Sequence, residues 1–211
     1  TIIWSLAGSI FSAGLRELVI DSIRKNFVDC LVCTGALFEQ DMLEALGHKH
    51  YLQTNKNDDG RLQNLLIDRI YDHLLDELEL QHVDLTYKKI AKQITPGNYS
   101  SREFMHECGK WLSKVKEAKD SVMFAAYEMN IPIFIPAIND CSIGIGLAMN
   151  QAELDGGICI DSIKDLREIA MMKKICGDSG IIIVGGGVPK NYSQDSVVMA
   201  EMLGYDVKKH K

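Results

Sequence analysis

The sequence predicts an α/β protein with a parallel, doubly wound sheet. Five short apolar runs recur along the 211 residues, and a segment with helical spacing follows each of them. The clearest run, Gly180–Val184, is continuous rather than alternating, which is typical of a strand buried on both faces of a parallel sheet. Small or polar residues end four of the runs. Open α/β sheets bind ligands at this edge, outside the carboxyl ends of the strands.

The composition limits the class of protein. Hydrophobic residues make up 46% and charged residues 25%, which is ordinary for a globular protein, and we expect residues 1–211 to form one domain. The net charge of −6 argues against a nucleic-acid-binding protein, because phosphate binding needs a basic face. No apolar run reaches the roughly 18 residues of a membrane helix. The six scattered cysteines indicate reduced thiols and a cytoplasmic location.

The first strand and helix are predicted at Thr1–Trp4 and Ala13–Asn26. Between them, Leu6–Ser12 carries several small residues next to the start of the helix. Free N–H groups at a helix start can bind a phosphate. Close packing between strand and helix explains the small residues equally well, so both interpretations stay open.

Val28–Thr34 is the second predicted strand. Its Cys30 and Cys33 form a C-x-x-C, but residues three apart in a strand face opposite sides, so we expect buried thiols and no zinc or redox site. A short helix, Glu39–Leu46, follows. Its acidic residues Glu39 and Asp41 would suit the positive end of the helix dipole.

Residues 60–97 are predicted to be a helical insertion in the domain. The preceding loop holds His48 and His50, which we do not expect to bind metal because no further ligand accompanies them. A polar turn at Lys56–Gly60 then leads into a long amphipathic helix or pair of helices over Arg61–Gln81.

Later in the chain, Ser100 and Glu103 match a helix capping box, and Ile133–Ile135 is the third strand. That strand leads to Asp140 at the sheet edge. The two carboxylate oxygens could accept hydrogen bonds from a ribose diol, or could cap the helix that starts near Ser142.

Gly157–Ile160 is the fourth predicted strand and Gly180–Val184 the fifth. Gly185–Gly187 follows the fifth strand and leads into a helix over about Asn191–Leu203. Glycines there allow a ligand to approach the backbone closely, but a tight turn without a ligand would also use them. The spacing of the full dinucleotide fingerprint is absent.

Several stretches together resemble the deoxyhypusine synthase family, in the family's order and over essentially the whole chain. The stretches are LAGSIFSAGLRE, VCTGALFEQD followed by GHKHY, DRIYDHLL, YSSREFMHECGKWL, DSVMFAAYEMNIPIFIPAINDCSIG and GIIIVGGGVPKNY. The forms TGA, GHKHY and GGGVPKN within these stretches are more similar to the deoxyhypusine synthase-like proteins of bacteria and archaea than to the eukaryotic enzymes.

The resemblance implies a Rossmann-like fold that binds NAD. Family members use NAD to oxidise spermidine and transfer its aminobutyl group to an amine. The acceptor is the lysine of a translation-factor precursor, which begins hypusine formation, or a second polyamine. The resemblance also implies a homotetramer.

The family's site residues carry over by motif. The resemblance implies NAD contacts at eight positions, which are Gly8, Ser9, Ser12, Thr34, Gly35, Ala36, Asp140 and Gly186. It implies polyamine contacts at Glu39 and at Asn191, and a carboxylate is suited to an ammonium group.

The chain departs from the family members that modify a translation-factor precursor. The differences are at three substrate positions and at the catalytic position. Gln40 replaces a glutamate, Ile145 an aspartate and Asn191 a histidine. The family's catalytic lysine, in a Trp-Gly-Lys motif, is expected beyond Lys211, so we assign no catalytic residue and expect a fragment that is inactive as given. The alternative function is an NAD-binding or assembly protein without transferase activity.

Overall fold

The computed structural model describes residues 1–54, 58–154 and 156–211. The strands in chain order are β1 (Ile2–Leu6), β2 (Cys30–Cys33), β3 (Tyr51–Leu52), β4 (Ile67–Ile70), β5 (His73–Asp76), β6 (Gly97–Tyr99), β7 (Ile133–Phe134), β8 (Ile158–Ile160) and β9 (Gly180–Val184). The helices are α1 (Arg16–Arg24), α2 (Gly35–Ala45), α3 (Asp59–Asn64), α4 (Glu77–Ala91), α5 (Ser101–Leu112), α6 (Val122–Glu128), α7 (Ser142–Glu153), α8 (Ser162–Cys176) and α9 (Gly187–Met202). Within these ranges, no helix has the length and apolar character needed to cross a membrane.

The main sheet has four parallel strands in the order β7–β2–β1–β9. The predicted parallel sheet is therefore confirmed, with the first, second, third and fifth predicted strands as its members. The chain winds outward from β1 through β2 to β7, and then returns to place β9 on the other side of β1. This reversal makes the sheet doubly wound and creates a crevice between β1 and β9 at their carboxyl ends.

Helices cover both faces of this sheet, as predicted. Successive side chains of a strand alternate between the faces. One face packs against α8 and α9 through a small cluster that contains Ile3, Cys30, Val32, Phe134 and Ile169. The other face belongs to the large core, which contains Leu31, Cys33 and Ile133 together with residues of α1, α2, α5 and α6.

Strand β2 is buried at every position, which explains its unbroken apolar sequence. Its thiols Cys30 and Cys33 are free and 0% exposed. Burial raises the pKa of both thiols, since a low-dielectric interior disfavours the thiolate. The prediction of a buried strand is confirmed, and these cysteines act as small apolar core residues.

The fourth predicted strand is present but belongs to a different sheet. Ile158–Ile160 pairs in parallel with β6, and Asp161 N–H donates to Tyr99 O at 2.8 Å. The main sheet therefore has four strands instead of about five. The apolar pattern of a segment predicts a strand, but it does not predict which distant strand will be its partner.

The segment 60–97 contains helices, but the long helix or pair of helices predicted over Arg61–Gln81 is wrong in its middle, where two strands lie. The short helix α3 ends at Asn64, and an antiparallel hairpin of β4 and β5 precedes α4. Strand β3 pairs with β5 to complete a three-stranded sheet. The first residues of the polar turn predicted at Lys56–Gly60 lie outside the described residues.

Candidate functional site

A cavity of about 590 Å³ lies at the carboxyl edge of the main sheet. This volume is within the usual range for small-molecule and cofactor sites. The lining residues come from the segments that follow β1, β2, β7 and β9, and they are Ala7, Gly8, Ser9, Cys33, Thr34, Gly35, Ala36, Pro136, Ala137, Asp140, Gly185, Gly186, Gly187, Val188 and Pro189.

The sheet topology explains the position of this cavity. Strands β1 and β9 are neighbours with five residue pairs in register, from Ile2 with Gly180 to Leu6 with Val184. The connections that leave their carboxyl ends lead to helices on opposite faces of the sheet. A crevice therefore opens between the two connections, as in other open α/β proteins.

The glycines of the cavity differ in what they are needed for. A Cβ at Gly35 would lie 2.7 Å from the Cβ of Cys141, so this glycine is required by the packing of α2 against the start of α7. Around Gly8, Gly186 and Gly187, in contrast, a Cβ would meet nothing within 4 Å. Close packing explains Gly35, and positive φ angles of +87° and +61° favour glycine at Gly8 and Gly187. Beside all three of these other glycines there is open space into which a ligand can fit.

Two helix starts supply hydrogen-bond donors to the cavity. Helix α2 begins at Gly35 and α9 begins at Gly187, and neither has a side-chain cap hydrogen bond. The first N–H groups of a helix lack intrahelical partners and attract anions. In the described part of the chain, the buried hydroxyls of Thr34 and Ser12 also have no hydrogen-bond partner. Buried polar atoms normally have one, so these hydroxyls are consistent with a polar ligand.

Seven of the eight residues proposed for cofactor binding line this one cavity, namely Gly8, Ser9, Thr34, Gly35, Ala36, Asp140 and Gly186. Ser12 lies behind the lining, in a single π-helical turn before α1, and its backbone N–H donates to Gln40 Oε1 at 3.0 Å. The structure thus gathers residues that are up to 178 positions apart, from Gly8 to Gly186, at one edge of the sheet.

Asp140 does not cap the following helix. The N-cap residue of α7 is Cys141, and the N–H of Ser142 donates to Glu39 Oε2 at 2.8 Å. The side chain of Asp140 is exposed at the cavity and available to a ligand. Of the two roles considered for Asp140, the geometry is compatible with the diol-binding one.

Glu39 lies in the second turn of α2, because the helix begins four residues earlier than predicted. Burial raises the pKa of its carboxyl, and the nearby Asp84 and Asp140 add to this effect, while the Ser142 N–H opposes it. The pKa of Asp84 is also raised by burial. These carboxylates lie close to each other without a basic partner among their described contacts, so the corner has a negative potential that favours a cation.

The proposed substrate residues do not meet in the main cavity. Glu39 lines a second, smaller cavity of about 240 Å³, together with His50 and Asp68. Asn191 is exposed on α9 and lines neither cavity. Sequence reasoning missed Asp68 and Asp84, because both lie in segments where acidic residues alternate with leucines and resemble the solvent face of a helix.

The thiols at and beside the main cavity are not activated as nucleophiles. Burial raises the pKa of Cys33, and it raises that of the neighbouring Cys141 to about 11, so both thiols stay protonated. No lysine is among the residues that line either cavity, within the described ranges. The same described residues contain no group of three or more His, Cys, Asp or Glu arranged to hold a metal ion.

Comparison with known proteins finds similar sequences over nearly the whole chain. A family model described as deoxyhypusine synthase matches residues 1–209. A deoxyhypusine synthase-like protein of Chlorobaculum parvum is 48% identical over 212 residues, which cover 99% of this chain and 61% of the relative. A Methanosarcina mazei protein named "Probable deoxyhypusine synthase 2" is 42% identical over 211 residues, with 100% of this chain and 61% of the relative covered. The chain thus spans about three fifths of the length of these curated relatives, which come from bacteria and archaea.

A solved structure has the same fold. A solved structure described as "Crystal Structure of a putative deoxyhypusine synthase from Entamoeba histolytica" superposes with a TM-score of 0.68 and 20% sequence identity. The match covers 89% of this chain and 58% of that chain. At this level of identity, the likeness concerns the α/β architecture alone.

Proposed function

Because the chain belongs to the deoxyhypusine synthase family, we propose that it binds NAD in the cavity between β1 and β9 and serves the transfer of an aminobutyl group from spermidine. The acceptor is an amine, either the lysine of a translation-factor precursor or a second polyamine. The matched segment is part of the length of the curated relatives, so the transferase activity is proposed for the whole protein.

One observation carries the proposal. Residues from four separate strand ends, which the family's motifs identify as cofactor contacts, line a single cavity at the switch point of a doubly wound sheet. Dinucleotides bind at this position in Rossmann-type folds, because helix starts and glycines converge there. Asp140, Gly8 and Gly186 are part of this convergence.

The chemistry of the cavity fits NAD. The unpartnered N–H groups at the starts of α2 and α9 would bind the diphosphate, and the two oxygens of Asp140 would accept hydrogen bonds from a ribose diol. Gly8 and Gly186 would leave room for the cofactor next to the backbone. When bound, NAD supplies an acceptor for the hydride that is removed from the carbon beside the substrate nitrogen.

The residues beside the cofactor cavity support a cationic substrate. Glu39 is held by Ser142 N–H, and Asp84 lies close to it. A carboxylate binds an ammonium group through charge-assisted hydrogen bonds, so this corner would hold a protonated polyamine. We further propose a homotetrameric assembly and a cytoplasmic location, as expected from the family and from the reduced thiols.

Calorimetry of NAD binding tests the proposal. We expect Asp140→Ala to weaken NAD binding at least about tenfold, since two hydrogen bonds to a charged acceptor are lost. Asp140 is exposed, so its replacement should leave the fold intact. The matched control is Asp120→Ala, which removes a carboxylate that is 85% exposed and lies outside both cavities. Equal NAD affinity in the Asp140 and Asp120 variants would remove Asp140 from the site.

A second candidate function is NAD binding or assembly without group transfer. Gln40, Ile145 and Asn191 favour it, since they stand where the family members that modify a translation-factor precursor have a glutamate, an aspartate and a histidine. Incubation of the full-length protein with spermidine and NAD separates the two. Release of 1,3-diaminopropane supports the transferase, whereas NAD binding without any amine product supports the second function.

A further inference from the structure

The second cavity, of about 240 Å³, lies between α2 and the three-stranded sheet of the insertion. Its polar lining includes Glu39 from α2, His50 from the loop before β3, and Asp68 from β4. Leu43 and Leu75 are among its apolar walls. The cavity therefore combines two carboxylates and an imidazole with an aliphatic surface.

The imidazole of His50 has one ring nitrogen that is available to a ligand. Its side chain is only 5% exposed, and its Nδ1 lies 3.0 Å from Glu44 Oε1. Because a carboxylate can only accept, Nδ1 carries a proton, and in the neutral tautomer of the ring Nε2 has a lone pair that can accept a hydrogen bond. Nε2 is buried and has no hydrogen-bond partner among the described residues. A buried acceptor without a donor is costly, so a donor from a ligand would satisfy it.

Among the described lining residues, the carboxylates of the cavity have no free cationic partner. Arg69 also lines the cavity, but its guanidinium is held by Asp59 through two hydrogen bonds of 2.7 and 2.8 Å, and by Tyr71 O at 2.9 Å. Burial raises the pKa of Asp68 to about 6, and the neighbouring Glu77 and Glu39 contribute to this rise. A bound cation would lower the repulsion among these acids.

The shape and chemistry of the cavity identify the class of cation. Its volume accepts only a small group, and the leucine walls suit methylenes. A primary ammonium has three N–H donors, which match the two carboxylates and the Nε2 acceptor. The described residues contain no cluster suited to a metal ion.

We propose that this cavity binds one terminal ammonium of the aliphatic amine substrate, with Asp68 and Glu39 as counter-charges and His50 Nε2 as a hydrogen-bond acceptor. This inference rests on the proposed function, because it takes an amine as the substrate. Glu39 lies between the two cavities: it lines the smaller one, and its carboxylate accepts from Ser142, two residues after Asp140 of the larger one. The amine would thus lie next to the cofactor cavity.

Titration of spermidine into the NAD-saturated full chain tests the proposal. We expect Asp68→Asn to weaken spermidine binding about tenfold, because one charge-assisted contact is lost. The matched control is Asp72→Asn, the same charge change on the same hairpin but at a carboxylate that is 53% exposed and outside the cavity. Its affinity should stay within about twofold of the wild type. The NMR resonances of the His50 ring should shift on addition of spermidine, which a purely structural role of His50 would not cause.

The outcomes separate this inference from the proposed function. Equal spermidine affinity in wild type and Asp68→Asn overturns the amine cavity, and NAD binding measured without spermidine then still supports the cofactor site. Wild-type protein that binds NAD but no spermidine also overturns the amine cavity. Spermidine binding that depends on Asp68, in a protein that does not bind NAD, supports the amine cavity and overturns the cofactor proposal.

Discussion

At Gly185 the backbone has a φ of +83°, and a Cβ placed there would lie 2.8 Å from the carbonyl oxygen of Ala7. A side chain would therefore suffer both a strained conformation and a clash with the neighbouring strand end. We expect Gly185→Ala to lower the free energy of unfolding by about 1–3 kcal/mol. Urea denaturation followed by circular dichroism measures this change.

The adjacent Gly186 is the matched control for Gly185. Its φ of −165° lies outside the left-handed region, and a Cβ there would meet nothing within 4 Å. We expect Gly186→Ala to change the free energy of unfolding by less than about 0.5 kcal/mol while still weakening NAD binding, because the new methyl group faces the cavity. If both alanine variants were equally stable, the strain assigned to Gly185 would be wrong.

At the scale of the elements, the carboxylate of Asp41 joins three helices. On α2, Asp41 is 0% exposed and accepts from Arg16 Nε of α1 at 2.7 Å. It also accepts from the N–H groups of Val122 and Met123 at the start of α6, at 2.9 and 3.0 Å. Burial raises the pKa of Asp41, while Arg16 and the two N–H groups oppose the rise. A single residue thus fixes how these helices pack.

Removal of this link should destabilise the protein strongly. We expect Asp41→Ala to cost about 3–5 kcal/mol, because Arg16 and two helix N–H groups lose their buried acceptor. Guanidinium denaturation of wild type and variant gives the value. Asp21→Ala is the comparison, since Asp21 forms an exposed pair with Lys25 at 2.8 Å and should leave stability close to that of the wild type. Similar losses in both variants would contradict the linking role.

At the scale of the whole molecule, the cofactor cavity connects all four strands of the main sheet. Its lining follows β1, β2, β7 and β9, so a bound ligand contacts segments from both ends of the chain. We expect NAD at 100 times its Kd to stabilise the fold by about 2.7 kcal/mol and to raise the Tm by roughly 5–10 °C. Differential scanning fluorimetry measures the shift.

The Asp140→Ala variant controls the thermal experiment. At the same NAD concentration its Tm should rise less than that of the wild type, because a weaker ligand gives less stabilisation. A wild-type Tm that does not depend on NAD concentration would count against the cofactor site as a whole.

The sequence alone predicted the strands of the main sheet and the helix cap at Ser100. Apolar runs identified β1, β2, β7 and β9, because strands buried on both faces leave a strong local pattern. The capping box at Ser100 is present, with hydrogen bonds of 2.9 and 3.1 Å between Ser100 and Glu103. The family membership followed from motifs that lie at strand ends, where the backbone geometry restricts the residue type.

The hairpin between residues 67 and 76 could not be predicted in this way. Leucines and isoleucines there have a spacing that also suits a helix. The turns depend on positive φ angles of +56° at Leu66 and +57° at Tyr71, whereas such turns normally use glycine or asparagine. Both side chains are exposed, Leu66 at 49% and Tyr71 at 85%, so neither residue type marks a turn, although the strand pairing requires one.

The sequence by itself determined the strands of the main sheet, the small residues at their carboxyl ends and the family. The tertiary structure decided which strands share a sheet, so that Ile158–Ile160 pairs with Gly97–Tyr99 outside the main one. It also decided that His50 and Asp68 face one cavity with Glu39. The physical reason is that local patterns follow from the periodicity of each segment, whereas the meeting of distant side chains depends on pairing and packing across the whole chain.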